Sequence, residues 1–281
     1  MNWSKIIGLG VAGNFTGHLE QAGEAGDFLN VAVADAAAPK GIFPFYVPGP
    51  VGGTHFLHDM PMSSDRIRLS DLSENHQIEP EVALLCELSY QDNCVVDIIP
   101  RFAMAHNDCS IRRPGAPKIS HKKNWGPDSK GTSTQRIAID SFREGGVLDR
   151  YRLACFLARE GMVYPYGVDS SLTGYSYFYG RLIDWLILQV NTQIDEGPLE
   201  DISSWLAVAE YPEHALISIG ATRYTDYGET HFLEPGDDVL VAVYDGEMYD
   251  NAEIPHLATR PNVASLPGVS LLKQRVGFSA E

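Results

Sequence analysis

Apolar residues recur along this 281-residue chain mostly in short runs, which are typical of β-strands rather than of long helices. Two of these runs are long enough to be core strands, and turn-forming residues at 91–93 separate them. Two others flank Glu160-Gly161 and predict a hairpin. The predicted strands are Lys5–Leu9, Leu29–Ala34, Glu79–Tyr90, Cys94–His106, Tyr151–Arg159, Met162–Val168, Ala215–Ile219 and Val239–Tyr244.

One segment, Tyr175–Gln193, has the periodicity of an amphipathic helix. Its large apolar side chains recur three or four residues apart, which places them on one face. They are Phe178, Leu182, Trp185, Leu186 and Val190. We interpret this stripe as core packing and not as a ligand site. Many strands with one long helix, and no βαβα alternation, predict a β-rich α+β fold.

The composition narrows the classes of function. Hydrophobic residues make up 44% of the chain and the mean hydropathy is −0.14, so a sizeable core is expected. The net charge of −16 argues against nucleic-acid binding, which needs clustered Lys and Arg. We expect neither a membrane span nor a secretory signal, because the apolar runs are short. Cys86, Cys94, Cys109 and Cys155 form no CxxC pair and predict reduced core residues in a cytoplasmic protein.

A glycine-rich motif near the N-terminus suggests dinucleotide binding. Gly8–Gly13 reads GxGxxG after a strand pattern, and Asp35 stands near the position of a ribose-binding carboxylate. An NAD-binding oxidoreductase is therefore one alternative. Three glycines weaken the helix that should follow this motif, and the rest of the chain lacks the helices of a parallel sheet.

Acidic residues at the start of one predicted strand suggest a metal site instead. Glu79 and Glu81 are two residues apart, so both side chains point to the same side of the strand. Asp108 follows the next strand and supplies a third carboxylate. Three oxygen ligands suit Mg²⁺, with Mn²⁺ or Ca²⁺ as alternatives. The other interpretation is that these are solvated edge and turn residues.

Several motifs between about residues 5 and 250 resemble those of the fumarylacetoacetate hydrolase family, and their order and spacing along the chain match as well. They are an ExE strand start, an NDxSxR segment, a Lys-Gly pair, a Gly-x-Thr, a Pro-Gly-Asp turn and an Asn-aromatic pair followed by His. In this chain they are Glu79-Pro80-Glu81, Asn107–Arg112, Lys130-Gly131, Gly220–Thr222, Pro235–Asp237 and Asn14–His18.

The resemblance implies a fold and an assembly. The fold is a mixed β-sandwich or β-roll of the fumarylacetoacetate hydrolase C-terminal-domain type, with one long helix. Proteins of this family usually form homodimers, so a homodimer is expected. Residues 1–281 then form one catalytic domain, in which 1–65 supply a lid and the first strands and 66–281 form the β-roll. Glu79, Glu81 and Asp108 hold the divalent metal.

The resemblance also implies a chemistry. Members of this family hydrolyse a C–C bond of a small anionic β-dicarbonyl or acylpyruvate-like acid, or decarboxylate or isomerise it, through an enolate that the metal stabilises. In this chain His18, with Glu20, corresponds to the base, and Lys130 holds the developing negative charge. Arg112 and Thr222 are expected to bind the substrate.

Some positions depart from the family pattern. Gln21 stands where small members have a glutamate three residues after the histidine, and Ser133 stands where an aspartate is usual. A protein that binds a metal or a small acid without turnover is therefore a further alternative. The loop 110–131 is strongly basic and could attract a carboxylate, or it could be solvated and pair with acidic surface elsewhere.

Overall fold

The structure is a computed structural model that describes residues 3–29, 31, 33, 35–49, 54–257 and 266–278. The strands are β1 Ile6–Ala12, β2 Gly41–Tyr46, β3 Met62–Ser63, β4 Arg66–Leu69, β5 His76–Gln77, β6 Pro80–Gln91, β7 Cys94–Asn107, β8 Ser110–Ile111, β9 Lys130–Thr132, β10 Ile137–Ala138, β11 Tyr151–Arg159, β12 Met162–Ser171, β13 His214–Ser218, β14 Asp238–Asp245 and β15 Val269–Phe278. The α-helices are α1 His18–Gln21, α2 Tyr179–Thr192, α3 Ile202–Val208, α4 Asp226–Thr230 and α5 Ile254–Leu257.

The strands form two large sheets. The first has the order β2-β1-β13-β6-β7-β9-β3, with β10 also paired to β7. The second has the order β12-β11-β14-β15-β4, and β5 and β8 form a separate pair. Strand β1 is parallel to β13, whereas β6 is antiparallel to both β13 and β7. This β-rich mixed architecture agrees with the prediction.

The core lies on both faces of strand β6. Val82 and Leu84 belong to the same buried cluster as Val241 and Val243 of the second sheet. Alternate residues such as Leu85 belong to a separate cluster on the opposite face. Because both faces are buried, this strand is apolar at successive positions instead of alternating with polar residues.

Both predicted hairpin turns are confirmed. Asp92 and Asn93 join β6 to β7 with φ of 50° and 66°. Glu160 and Gly161 join β11 to β12 with φ of 53° and 80°. Two successive residues with positive φ are the signature of the type I′ turn, whose twist matches that of the flanking strands.

The predicted helix forms but begins at Tyr179, later than its periodicity suggested. Tertiary hydrogen bonds hold the preceding residues in an extended conformation: the Tyr175 hydroxyl donates to the Gly220 carbonyl (2.8 Å), and the Tyr177 amide donates to the Asn14 side chain (2.9 Å). The predicted stripe is otherwise buried, except that Phe178 precedes the helix and is half-buried.

Other expectations need correction. Half of the predicted strand Leu29–Ala34, residues 30, 32 and 34, lies outside the described residues, and residues 29, 31 and 33 are not in a strand. Cys94 is exposed, while the other three cysteines are buried as expected. Strand β2 is not among the predicted strands, because it contains Pro44 and proline is unusual within a strand. Of the helices in the described part of the chain, none is both long and apolar enough to span a bilayer.

The glycine motif is not a phosphate-binding loop, which removes the basis for the NAD alternative. Gly8 and Gly10 lie inside the buried strand β1, which continues to Ala12. A Cβ atom at Gly8 would lie 2.3 Å from the Phe45 ring, and one at Gly10 would lie 2.2 Å from the Phe43 ring. These glycines are therefore explained by the aromatic side chains of β2 that pack over them.

We expect Gly10→Ala to lower the free energy of unfolding by about 1–3 kcal/mol, because the new methyl group overlaps the Phe43 ring. Urea unfolding measures this effect, with Gly26→Ala as the control because a Cβ there meets nothing within 4 Å. Millimolar NAD should not shift the melting temperature of the wild type. Saturable NAD binding that Gly10→Ala abolishes would contradict this assignment.

Candidate active site

The open end of the β6–β7 hairpin brings three carboxylates together. The antiparallel register pairs Pro80 with Asn107, and the Asp108 amide continues the ladder by donating to the Glu79 carbonyl (2.9 Å). The Asn107 side chain accepts a hydrogen bond from the Glu79 amide (3.2 Å) and so fixes the start of β6. Glu79, Glu81 and Asp108 are therefore positioned by one local piece of backbone.

These three residues form a buried acidic cluster, the predicted metal triad. Ligand oxygens of Glu79, Glu81 and Asp108 all lie within 4.8 Å of one another. Burial, together with the charges of Asp108 and Glu79, raises the pKa of Glu81 well above its ordinary value. The interpretation of these residues as solvated edge charges is wrong, since none of them is exposed.

Two lysines neutralise the acidic cluster. The Lys130 ammonium contacts Asp108 Oδ1. The Lys123 ammonium lies 2.6 Å from Glu79 Oε2 and 2.6 Å from Asp108 Oδ2. Burial opposes the ionisation of Glu79, but Lys123 and Arg112 overcome it and hold the pKa of this carboxyl well below its usual value. The sequence predicts for Lys123 only membership of the basic loop 110–131 and no contact with the acidic cluster.

Arg112 connects the acidic cluster to the N-terminal segment. Its Nη1 lies 2.7 Å from Glu79 Oε1 and 2.9 Å from Glu24 Oε1. Its Nε donates to Gln77 Oε1 (2.5 Å), and its Nη2 donates to the Tyr224 hydroxyl (2.8 Å). All three nitrogens of the guanidinium are therefore engaged, two carboxylates among their partners.

His18 is buried close to these charges. The helix α1 begins at His18 after Gly17, whose φ of 85° favours glycine. The His18 ring centroid lies 5.1 Å from that of Tyr224, and its Nδ1 has no hydrogen-bond partner among the described residues. Burial lowers the pKa of His18 to about 4, although Glu79 partly opposes the shift. The imidazole is therefore neutral at pH 7 and able to accept a proton.

The expected partner of His18 is corrected. Glu20 is exposed, because two residues along a helix turn its side chain away from His18. Gln21 instead connects the helix to the backbone of Tyr224 by two hydrogen bonds. Its Nε2 donates to the Tyr224 carbonyl (3.2 Å), and its Oε1 accepts from the Tyr224 amide (2.9 Å). The buried acid of this segment is Glu24, which sequence analysis missed because it lies outside the family spacing.

The Gly-x-Thr segment after β13 completes the edge of the cluster. The Gly220 amide donates to Glu81 Oε2 (2.8 Å), and the Thr222 amide donates to the Pro80 carbonyl (3.3 Å). The Thr222 hydroxyl is buried without a hydrogen-bond partner in the described part of the chain. The structure thus places Thr222 beside the start of β6.

The basic loop is not uniformly solvated. Lys122, Lys123 and Lys130 are buried and ion-paired, whereas Lys118 is half-buried and pairs with the exposed Asp195.

Beside the cluster lies a cavity of about 160 Å³, lined mainly by polar and charged residues. Its lining includes Glu24, Asp27, Arg112, Arg113 and Lys122. Three of these side chains are cationic and two are carboxylates. Ser133, at the other departure from the family, donates to the Leu271 carbonyl (2.7 Å).

Another buried carboxyl, that of Glu200, supports the turn that contains Lys122 and precedes Lys123. Ser120, in the 3₁₀ turn Ile119–Lys122, donates to Glu200 Oε1 (2.7 Å), while Oε2 has no partner among the described residues. Burial raises the pKa of Glu200 from 4.5 to about 7. The folded state therefore binds the proton more tightly, and this group destabilises the fold progressively as the pH rises from 4.5 to 7.

We expect Glu200→Gln to remove this pH dependence, because the amide carries no charge at any pH. At pH 8 the variant should be more stable than the wild type by about 1–3 kcal/mol, and at pH 4.5 the two should differ little. Urea unfolding at both pH values measures the difference. An equal difference at the two pH values would show that ionisation of Glu200 plays no part.

A family model matches residues 24–276, and its description is "Family of unknown function (DUF5718)". The chain belongs to this family. The match covers the acidic cluster and Glu24 but begins after His18. A comparison with curated proteins finds no match.

Solved enzyme structures share the fold of this DUF5718 member. One is 2-keto-3-deoxy-D-arabinonate dehydratase complexed with magnesium and 2,5-dioxopentanoate, at 13% identity and a TM-score of 0.56, with 99% of this chain and 75% of that chain covered. Another is 5-carboxymethyl-2-hydroxymuconate delta-isomerase from Mycobacterium smegmatis, at 14% identity and a TM-score of 0.53, with 98% and 80% covered. At these identities the similarity shows a shared fold, which agrees with the β-rich fold that the sequence predicts.

Proposed function

We propose that this protein is a divalent-metal-dependent enzyme that acts on a small dicarbonyl or 2-oxo carboxylic acid. The observation that carries the proposal is the buried cluster of Glu79, Glu81 and Asp108 beside His18, a neutral imidazole whose Nδ1 has no partner among the described residues. Hydrolysis of a C–C bond, decarboxylation, isomerisation and dehydration all fit such a site. The last two are the reactions named for the similar solved structures.

The residues present fit a divalent cation. The three carboxylates are hard oxygen donors within 4.8 Å of one another, which is the donor chemistry that Mg²⁺ and Mn²⁺ prefer. A bound cation would supply a Lewis acid for the negative charge that develops on substrate oxygens. Support for magnesium comes also from the similar dehydratase, which is complexed with this ion.

The other residues of the site have separable roles in this proposal. His18 accepts a proton from the substrate or from the attacking water, since it is neutral at pH 7. Lys130 holds negative charge as it forms in a site shielded from solvent. Arg112 binds the substrate carboxylate, for which Glu24 must release one side of the guanidinium. Thr222 offers a hydroxyl that has no partner within the described ranges of the chain.

A turnover screen tests the proposed function. Wild type and Asp108→Asn are incubated in D₂O with Mg²⁺ and with acylpyruvates, oxaloacetate or 2-keto-3-deoxy sugar acids, and NMR follows products and deuterium uptake beside the carbonyl. We expect a rate above the uncatalysed background for one of these acids, and its loss in Asp108→Asn. No rate for any of them would contradict the proposal.

A binding protein without turnover is the second candidate. It is favoured by one observation: Glu20, the acid that the resemblance pairs with the base His18, is exposed. Calorimetric binding of oxalate in the presence of Mg²⁺, combined with no turnover in the screen, would support this candidate over the enzyme.

A further inference from the structure

Lys123 occupies an unusual position for a lysine of a basic loop. Its side chain is only 4% exposed, and its ammonium lies between Glu79 and Asp108, two of the three carboxylates of the acidic cluster. The pairing is direct, at 2.6 Å to each carboxylate. Both carboxylates belong to the triad that would hold a divalent cation.

Among the described cations around the acidic cluster, Lys123 is the one that contacts two of its carboxylates. The remaining oxygen of Asp108 contacts Lys130, and the remaining oxygen of Glu79 lies 2.7 Å from Arg112. Each of those cations forms an ion pair with one member of the triad, whereas Lys123 bridges two of its members. Buried carboxylates this close require a counter-cation, and Lys123 supplies it.

The backbone that carries Lys123 is fixed, so its side chain alone can leave. The preceding turn is held through Ser120, which bonds Glu200, and the following residue Asn124 donates to the carbonyls of Phe45 (2.9 Å) and Asp59 (3.0 Å). A lysine ammonium on a four-carbon stem can change position without moving this backbone.

We propose that Lys123 is the resident counter-cation of the acidic cluster and that a divalent cation binds in exchange for its ammonium group. This inference rests on the proposed function only in using the same metal site. Two cations cannot share these oxygens, because like charges at such a distance repel strongly in a buried site. Lys123 therefore sets the metal affinity and keeps the triad compensated when no metal is bound.

The test is a direct measurement of Mn²⁺ binding by isothermal titration calorimetry, without substrate. We expect Lys123→Met to bind Mn²⁺ at least about tenfold more tightly than the wild type, because the competing charge is gone. Lys122→Met is the matched control. It removes the same charge from the adjacent buried residue, whose partners are Glu24 and Asp27, so its Mn²⁺ affinity should stay within about threefold of the wild type.

Lys123→Gln is the second variant, because its amide can still donate to the carboxylates if Lys123→Met does not fold. Tighter Mn²⁺ binding in Lys123→Gln than in the wild type would also support the exchange. Equal affinities in the wild type and the folded Lys123 variant, or an equal gain in Lys122→Met, would overturn it. Because no substrate is used, a negative turnover screen leaves this result unaffected, and a negative result here leaves the turnover screen unaffected.

Discussion

Removing the imidazole of His18 is expected to lower kcat by about 10²–10⁴, the usual contribution of a general base. The reason is that His18 is buried beside the acidic cluster, is neutral at pH 7 and has a nitrogen without a partner in the described residues. The variant His18→Gln is measured on the best substrate from the turnover screen. Its Mn²⁺ affinity should be unchanged, because His18 is not a member of the metal triad.

The pH dependence of the wild type gives an independent check. The pKa of His18 is lowered to about 4, so the imidazole remains unprotonated through neutral pH and becomes protonated only as the pH falls towards 4. The rate should therefore decline on the acid side near that value. Glu20→Gln is the matched control on the same helix, and it should retain activity because Glu20 is exposed. Full activity in His18→Gln would show that His18 is only a structural residue.

Replacing Asp108 is expected to abolish both the metal response and turnover. In the wild type, Mn²⁺ at 100 times its dissociation constant should stabilise the fold by about 2.7 kcal/mol, and EDTA should reverse this. Asp108→Ala should lose this response, and the isosteric Asp108→Asn should lose it with less disturbance of Lys130. We expect kcat to fall by about 10³ or more, since both the metal and its charge stabilisation are lost.

Differential scanning fluorimetry with and without Mn²⁺ measures the metal response of the Asp108 variants. The control is Asp195→Asn, an exposed carboxylate that pairs with Lys118 and lies outside the triad. It should respond to Mn²⁺ as the wild type does. A wild-type response in Asp108→Asn would contradict the assignment of the metal ligands.

The parts of the fold that follow local rules could be predicted from the sequence. The β6–β7 and β11–β12 hairpins depend on apolar runs and on short turns that tolerate positive φ. The stripe of α2 depends on helical spacing. The start of α2 could not be predicted, because the preceding residues are held extended by hydrogen bonds that they donate to Asn14 and Gly220, which are distant in sequence.

The candidate site likewise contains residues whose proximity could be predicted from the sequence and residues whose proximity could not. Glu79 and Glu81 share a side of one strand, and Asp108 ends its hairpin partner, so their proximity follows from local geometry. Lys123 and Glu24 carry no such signal, because their pairing with the cluster depends on how a loop and the N-terminal segment fold back onto it. Glu20 was misassigned because its position in the sequence is near His18 while its side chain is exposed.

A crystal structure of the wild type with Mn²⁺ and oxalate tests the central claim most directly. We predict an anomalous manganese peak between the carboxylates of Glu79, Glu81 and Asp108, with oxalate completing the coordination and the Lys123 ammonium displaced from its present position. Crystals soaked at saturating Mn²⁺ that show no peak at these carboxylates, with Lys123 still between Glu79 and Asp108, would contradict the account.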